Sequence, residues 1–495
     1  MTVKSIGAKI FAKIIDLNTK NWTKNPVETQ QKVFLKLIES AKNTQFGEDH
    51  KFREIKDFKN FADLVPVRDY EQLRNYIDLV VAGKENILWN GKPMYFAKTS
   101  GTTSGAKYIP ITKESMPYHI KAARNAILSY IHETGKADFV NGKMIFLQGS
   151  PVLEEKNGIK LGRLSGIVAH FVPKYLTKNR LPSWETNCIE DWETKVNTIV
   201  NETITENMTV ISGIPSWVQM YFEKLNLKSG KNIGNLFKNF NLFIYGGVNF
   251  EPYRSNFEGL IGRKIDSIEL FPASEGFFAY QDSQKEKGML LLLNSGIFYE
   301  FIKVEEFYTS KPKRYTIGEV ELGVNYVLII STNAGLWAYN IGDTVIFTSL
   351  KPHRIIVSGR IKHFISAFGE HVIAKEVEYA MQKAILETNA QIVEFTVAPQ
   401  INVSGELPFH HWYIEFEKMP DDLANFALIL DEEMQQQNIY YLDLRKGNVL
   451  QALKIQLVVK NGFQNYMKSI GRLGGQNKIQ RLANDRSLVE KLEVN

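Results

Sequence analysis

Between Met208 and Leu293 short apolar runs alternate with helix-length segments, and this alternation constrains the fold more than any other feature of the chain. Thr209-Val210-Ile211-Ser212-Gly213 reads as a strand and turn, and Ser216 to Leu225 as a helix. Leu242-Phe243-Ile244-Tyr245 reads as a buried strand ending in Gly246-Gly247, and Pro252 to Ile261 as another helix. Ser267-Ile268-Glu269-Leu270-Phe271 follows and runs into Pro272-Ala273-Ser274-Glu275-Gly276. Strands and helices in this order build a sheet flanked by helices, so the expected fold class is α/β. Open sheets of that kind bind ligands at the carboxyl ends of their strands, and here two successive strands end in small or polar residues.

Ahead of this region Thr99 to Lys107 reads TSGTTSGAK. Pro93-Met94-Tyr95-Phe96-Ala97 precedes it and Tyr108-Ile109-Pro110-Ile111-Thr112 follows, so extended segments anchor it at both ends and no helix begins there. Gly101, Gly105 and Ala106 let backbone amides approach an anion. The hydroxyls of Thr99, Ser100, Thr102, Thr103 and Ser104 add donors, and Lys107 adds positive charge. The Gly-x-x-x-x-Gly-Lys-Ser/Thr spacing of the common ATPase loop is absent. Two readings stand side by side: a phosphate cradle belonging to another class of ATP user, or a flexible surface hairpin.

Elsewhere the pattern is scaffold. Asn25-Pro26 with Glu28 marks a helix start that runs to about Lys42, and Lys113 to Gly135 has helical periodicity before a strand at Lys143 to Gln148. From Gly318 to Leu350 the text is β-rich, with strands at Gly318 to Val320, Tyr326 to Ser331 and Thr344 to Thr348. Ala338 to Asp343 reads as the turn between the last two, either plain Gly-Asp hairpin chemistry or a carboxylate set to accept two ribose hydroxyls. A domain boundary falls near Arg360 to Lys362. Beyond it a helix from about Ala374 to Glu387 and strands at Ile392 to Ala398 and His411 to Glu417 suggest a small α+β domain. Gly474-Gly475-Gln476-Asn477-Lys478 is a glycine-flexed turn, and with Arg481 and Arg486 behind it the default reading is a solvated tail.

Size and composition narrow the function classes. A chain of 495 residues with 44% hydrophobic content has room for two or three domains. No run approaches the roughly 18 apolar residues of a membrane span. Val3, Ile6, Ile10, Ile14 and Leu17 recur at helical spacing with lysines among them, which reads as an amphipathic helix packed on the body, with membrane-surface binding as the alternative. The single cysteine, Cys188, excludes an internal disulfide and goes with a reducing, cytoplasmic setting. A net charge of +6 from 60 basic and 54 acidic residues suits anionic small molecules and lacks the concentrated basic stripe of a nucleic-acid binder.

The order of the weak signals carries more than any one of them. A Ser/Thr/Gly loop with lysine, a Gly-Gly strand end, an aromatic-x-x-Ser-Glu strand end, a Tyr-x-x-Gly-Asp turn, a Gly-Arg hinge and a late lysine follow one another as in adenylate-forming enzymes. The phrases FAKTSGTTSGAKYIPIT, SGIPSWVQMYF, YGGVNFEPYR, FPASEGFFAY, AYNIGDTVIF and GGQNKIQRLANDR resemble the Gretchen Hagen auxin-responsive family, whose plant members are acyl-acid amido synthetases. The likeness runs from about Gln30 to the last residue. It implies a large N-terminal adenylate-forming domain, residues 1–360, of β-sheets flanked by helices, and a small mobile α+β C-terminal domain, residues 361–495.

Carried over by motif position, the resemblance implies that Thr99, Ser100, Gly101, Thr102, Thr103, Ser104, Gly105 and Lys107 hold the β and γ phosphates of ATP. Gly246, Gly247 and Phe271 would border the adenine, Phe271 standing where the family usually has tyrosine, with Ser274 and Arg360 among the nucleotide contacts. Glu275 would bind Mg²⁺, Asp343 would grip the ribose, and Lys478 would touch the reacting carboxylate and the α-phosphate. Asn340 departs from a usual arginine, and Gln480 stands where a proline is expected after the lysine.

The implied activity is that of an ATP-dependent acid-amino acid ligase. A carboxylate oxygen attacks the α-phosphorus, pyrophosphate leaves, and the acyl-adenylate passes its acyl group to the amine of an amino acid. A carboxylate-CoA ligase shares the first half of this chemistry. A non-catalytic small-molecule binding protein on the same fold is a further alternative, against which the joint presence of Lys107, Glu275, Asp343 and Lys478 counts. The expected partners are a small carboxylic acid and an amino acid, with no nucleic acid and no membrane span; neither the acid nor an oligomeric state follows from the sequence.

Overall fold

The structure is a computed structural model, described for residues 2–99, 107–172, 177–247, 250–361, 372–400, 407–447, 449–474, 477–483 and 485–495. Its frame is a mixed sheet of eleven described strands. Asp266–Ala273, Leu242–Gly246, Met208–Ser212, Lys143–Phe146 and Arg180–Leu181 lie side by side and parallel. The alternation of strand and helix between Met208 and Leu293 thus produces the expected open sheet, with helices Pro215–Ser229 and Glu251–Ile261 as its crossovers. Successive residues of a strand point to opposite faces. Ile211 and Phe243 accordingly join the core formed with those crossovers, whereas Val210, Leu242, Ile244 and Ile268 pack beneath helix Met116–Thr134.

The other half of the sheet is antiparallel, continuing through Gly276–Tyr280, Met289–Leu291, His353–Arg360, Tyr339–Leu350, Asn325–Thr332 and Ile297–Lys303. It carries the largest core, which includes Phe34, Phe46, Phe298 and Trp337. A second sheet joins Lys107–Ile111, Tyr95–Thr99, Ile159–Gly162 and Glu154–Lys156. A third, of Gln391–Gln400, Phe409–Lys418 and Lys454–Leu457, has its own core with helices Ala374–Thr388 and Leu423–Gln437, giving the small α+β unit its own interior.

Four readings change on contact with the structure. Ala338 to Asp343 is no turn: Tyr339–Leu350 is one strand, and the chain has already reversed by Ala338, whose N–H donates to Ser331 Oγ at 2.9 Å. Asp343 therefore stands within a strand, beside a bend made by Gly342 at φ 88°. Gly318 to Val320 is a turn rather than a strand, because the Glu319 carboxylate accepts from both the Thr316 N–H, at 2.9 Å, and its hydroxyl, at 2.8 Å. The segment around Arg481 is no solvated tail; Arg481 is buried and Leu482 bridges to Val397. Finally, helix Val3–Thr23 does pack on the body, through Ser5, Ala8, Ala12, Ile15 and Trp22, but this leaves Val3, Ile6, Ile10, Ile14 and Leu17 facing solvent.

Candidate active site

The parallel strands end together at one edge of the sheet, where Ser212, Gly246-Gly247 and the Ala273 to Gly276 turn are neighbours. Ser274 and Glu275 form the tight turn in which Ala273 pairs with Gly276. Burial pushes the Glu275 carboxyl up, and the Asp343 charge pushes the same way, while Lys107 and Arg360 pull it down. Asp343, Lys107 and Arg360 thus belong to the electrostatic surroundings of Glu275. Phe271 does not stand open beside them: its ring is packed into the largest core, 5.0 Å from Phe278 and edge-on to it.

Asp343 and Arg360 face each other across paired strands, which sets Arg360 Nε 2.8 Å from Asp343 Oδ1. Arg360 also donates to the Ile341 carbonyl at 3.1 Å, so the guanidinium closes over the strand bend. Asn340 makes that bend, its Oδ1 accepting from the Gly342 N–H at 2.8 Å. A residue that departs from the expected arginine thus has a backbone role here. Burial raises the Asp343 carboxyl, and Arg360 and Lys478 oppose it.

Thr99 and Lys107 are opposite one another at the end of a β-hairpin, as the extended flanks require. Ser100, Gly101, Thr102, Thr103, Ser104 and Gly105, between them, lie outside the described residues. The Lys107 ammonium sits over the Tyr70 ring, 5.3 Å from its centroid. Tyr70 Oη in turn accepts from the Tyr108 N–H at 2.9 Å, which ties the hairpin to the start of helix Tyr70–Val81.

Lys478 comes from the far end of the chain and donates to the Gly247 carbonyl. Gly247 has φ 87°, and a Cβ there would lie 2.6 Å from the ammonium, so only glycine leaves room for this approach. Part of the Lys478 side chain meets solvent, yet the surrounding protein holds its ammonium down at about 8; Asp343 and Glu378 work against that effect and Arg360 with it. The turn that carries it is seated on aromatic rings. Gly474 lies directly on Trp192, where any side chain would overlap the ring, and the Trp217 indole N–H donates to the Asn477 carbonyl at 3.2 Å. Gln480, where a proline is expected, is held through its carbonyl, which accepts from the Thr396 hydroxyl at 2.6 Å.

Sequence reasoning missed the clamp behind Lys478. Arg481 Nη1 donates to Glu394 at 2.8 Å, Nη2 to the Tyr253 hydroxyl at 2.8 Å, and its guanidinium lies 3.9 Å from the Phe395 ring centroid. Tyr253 donates to Glu394 at 2.7 Å from helix Glu251–Ile261, so the cluster joins the small unit to the large one. A lone arginine in a basic stretch gives no sign of such burial. Trp192, Trp217 and Tyr70 were equally unmarked, because an aromatic residue that supports a turn has no periodicity of its own.

Among the described residues no three His, Cys, Asp or Glu side chains gather as a metal cage. Mg²⁺ does not need one, since one or two carboxylates with phosphate oxygens and water complete its shell. Glu275, raised by burial and by Asp343, is a carboxylate that gains from a nearby cation, and it fits that requirement.

The chain matches the GH3 family N-terminal domain over residues 18–183, its central domain over 290–360 and its C-terminal domain over 375–487. It is 21% identical to the jasmonoyl-L-amino acid synthetase JAR4 of Nicotiana attenuata, with 91% of this chain and 90% of that protein covered. Among solved structures, the GH3.15 acyl acid amido synthetase superposes with a TM-score of 0.80 at 16% identity, covering 98% of this chain and 96% of the other. A 2-hydroxyisobutyryl-CoA ligase in its postadenylation state gives 0.62 at 12% identity over 95% and 91%.

Proposed function

The chain belongs to the GH3 family, and on that premise we propose that it is an ATP-dependent ligase that adenylates a carboxylic acid and passes the acyl group to the amine of an amino acid. The observation that carries this reading is Lys478, brought from the C-terminal unit to the Gly247 carbonyl within the field of Asp343 and Arg360. A cation at that point meets the charge that develops as the carboxylate oxygen bonds to the α-phosphorus and the bond to pyrophosphate breaks. Lys107 and the hairpin from Thr99 attract the departing phosphates. Arg360 holds Asp343 through Oδ1, and the carboxylate would accept from the ribose hydroxyls. Glu275 would hold Mg²⁺, whose contribution when bound is to neutralise phosphate charge. In the second half-reaction the amine attacks the acyl carbon and AMP leaves.

The same reading places the domain boundary at 360/361, just past the strand that supplies Arg360. The small unit then carries Lys478 toward or away from the nucleotide. Cys188 as the single cysteine supports a cytoplasmic setting.

The test is pyrophosphate release from ATP and Mg²⁺ with a panel of aryl and aliphatic acids, followed by mass spectrometry of products formed with amino acids and CoA in competition. An amide product is expected. Thioester alone would replace the acceptor, and silence across the panel with ATP still bound would leave only a binding protein.

A further inference from the structure

Helix Val3–Thr23 presents two unlike faces. The inner one is made of small residues with Ile15 and Trp22, packed against the body that includes helix Met116–Thr134. The outer one is a ridge of Val3, Ile6, Ile10, Ile14 and Leu17, exposed by 88, 47, 60, 49 and 53%. At 3.6 residues per turn these five fall within about 80° of the helix circumference and extend along most of its roughly 30 Å length. Lys9, Lys13 and Lys20 form a row along one border of the ridge. On the other border Phe11 is exposed, with the Arg124 guanidinium 5.0 Å from its ring centroid. The helix has one acidic residue, Asp16, already engaged by Lys20 at 2.7 Å and His132 at 3.2 Å. Among the described residues no carboxylate pairs with Lys4, Lys9, Lys13 or Lys24.

The charge decides what covers this ridge. A second copy of the chain placed on it antiparallel, about a twofold axis perpendicular to the helix, would bring two lysine rows together, and a parallel copy would still join two faces of the same positive sign, which like charges oppose. An anionic surface is the complementary partner. We propose that the outer face of helix Val3–Thr23 docks on a phospholipid bilayer that carries anionic headgroups. The helix lies in the interfacial plane, its apolar ridge enters the boundary between headgroups and acyl chains, and Lys9 and Lys13 meet the headgroup charge. Packing on the body orders the helix in advance, so little conformational entropy is lost at the surface. No described helix is long and apolar enough to cross a membrane, so the contact is peripheral.

The experiment is flotation of the purified full chain with vesicles of phosphatidylcholine alone or with about one third phosphatidylserine, at low and at physiological salt. The chain is expected to float with the anionic vesicles only, and less at higher salt. Ile10→Ser/Leu17→Ser and Lys9→Glu/Lys13→Glu should each cut the bound fraction by about tenfold or more. Pyrophosphate release and melting temperature should stay unchanged in both, which separates this proposal from the catalytic one. A chain that remains unbound to anionic vesicles at low salt overturns it, as does binding that neither double variant weakens. A dimer that Ile10→Ser/Leu17→Ser dissociates, without vesicle binding, gives the ridge to a second copy instead.

Discussion

Lys107 and Lys478 reach the same site by opposite means. Lys107 leaves a paired strand opposite Thr99 and rests on Tyr70, so neighbouring backbone and one ring place it. Lys478 sits in no helix or strand; Trp192, Trp217, the Thr396 hydroxyl and the Arg481 cluster place it, all through contacts distant in sequence. The first lysine is therefore a fixture of the large unit. The second belongs to the small unit, and in the proposed reaction its docked position at the Gly247 carbonyl is the one that would serve the α-phosphate. This division suits a first step in which one cation holds the departing phosphates and the other meets the charge at the α-phosphate.

The largest expected effect tests that division directly. Lys478→Ala should slow adenylation, read as ATP-pyrophosphate exchange, by about a hundredfold to a thousandfold. Amide formation from a supplied acyl-adenylate should change little. Lys107→Ala should instead raise the KM for ATP. Equal loss of both half-reactions in Lys478→Ala would erase the distinction.

A smaller blow to the same corner is Gly247→Ala. The new Cβ would stand 2.6 Å from the Lys478 ammonium, at a φ of 87° that alanine resists. The flexible lysine must shift, and a displacement of about 1 Å at a reacting group costs tenfold to a hundredfold in rate. Adenylation should fall by that order, and any rise in the KM for ATP at this adenine-bordering position should be the smaller effect. A rate matching that of the parent would mean that Lys478 works from another position.

The same contrast explains what could be read in advance. The parallel half of the sheet was legible because Val210-Ile211 and Leu242-Phe243-Ile244-Tyr245 must be buried on both faces, and only helices on either side achieve that. The strand ends that carry Glu275 and Lys107 were legible because each is fixed by local pairing, Ala273 with Gly276 and Thr99 with Lys107. Asp343 was assigned to the wrong element, since a Gly-Asp pair bends a strand as readily as it closes a hairpin. The face of helix Val3–Thr23 was misjudged because spacing reports that an apolar stripe exists and not what covers it; close approach through Ala8 and Ala12 decided the orientation. Arg481 carried no signal at all, for its partners Glu394 and Tyr253 come from separate parts of the chain.

A pH profile sharpens the comparison further. An ammonium held at about 8 is charged at pH 7 and loses its charge as the pH climbs through 8. Adenylation should therefore decline on the alkaline side, by about tenfold between pH 7 and pH 9 if the charged form alone acts. Lys478→Arg, which keeps its charge throughout, should flatten that limb even if it lowers the rate. A limb that persists in the arginine variant would assign the titration to another group.

The smallest change addresses docking without touching either lysine. Tyr253 is the hydroxyl of the large unit inside the Arg481 cluster, donating to Glu394 and accepting from Arg481. Tyr253→Phe keeps the ring and leaves Glu394 its bonds from Arg481, at 2.8 Å, and from the Phe395 N–H, at 3.0 Å. Two bonds between the units are lost, the one to Glu394 and the one from Arg481, each at the weak end of such bonds and together worth about 1 kcal/mol. That loss falls on the docked arrangement rather than on either core, so adenylation should drop about fivefold while the melting temperature stays close to that of the parent. Amide formation from a supplied acyl-adenylate should be unaffected, because that step does not need Lys478 in place. Should the variant instead lower the melting temperature and spare adenylation, the cluster would be a structural clamp of the large unit, and the position of Lys478 would owe more to Trp192 and Trp217.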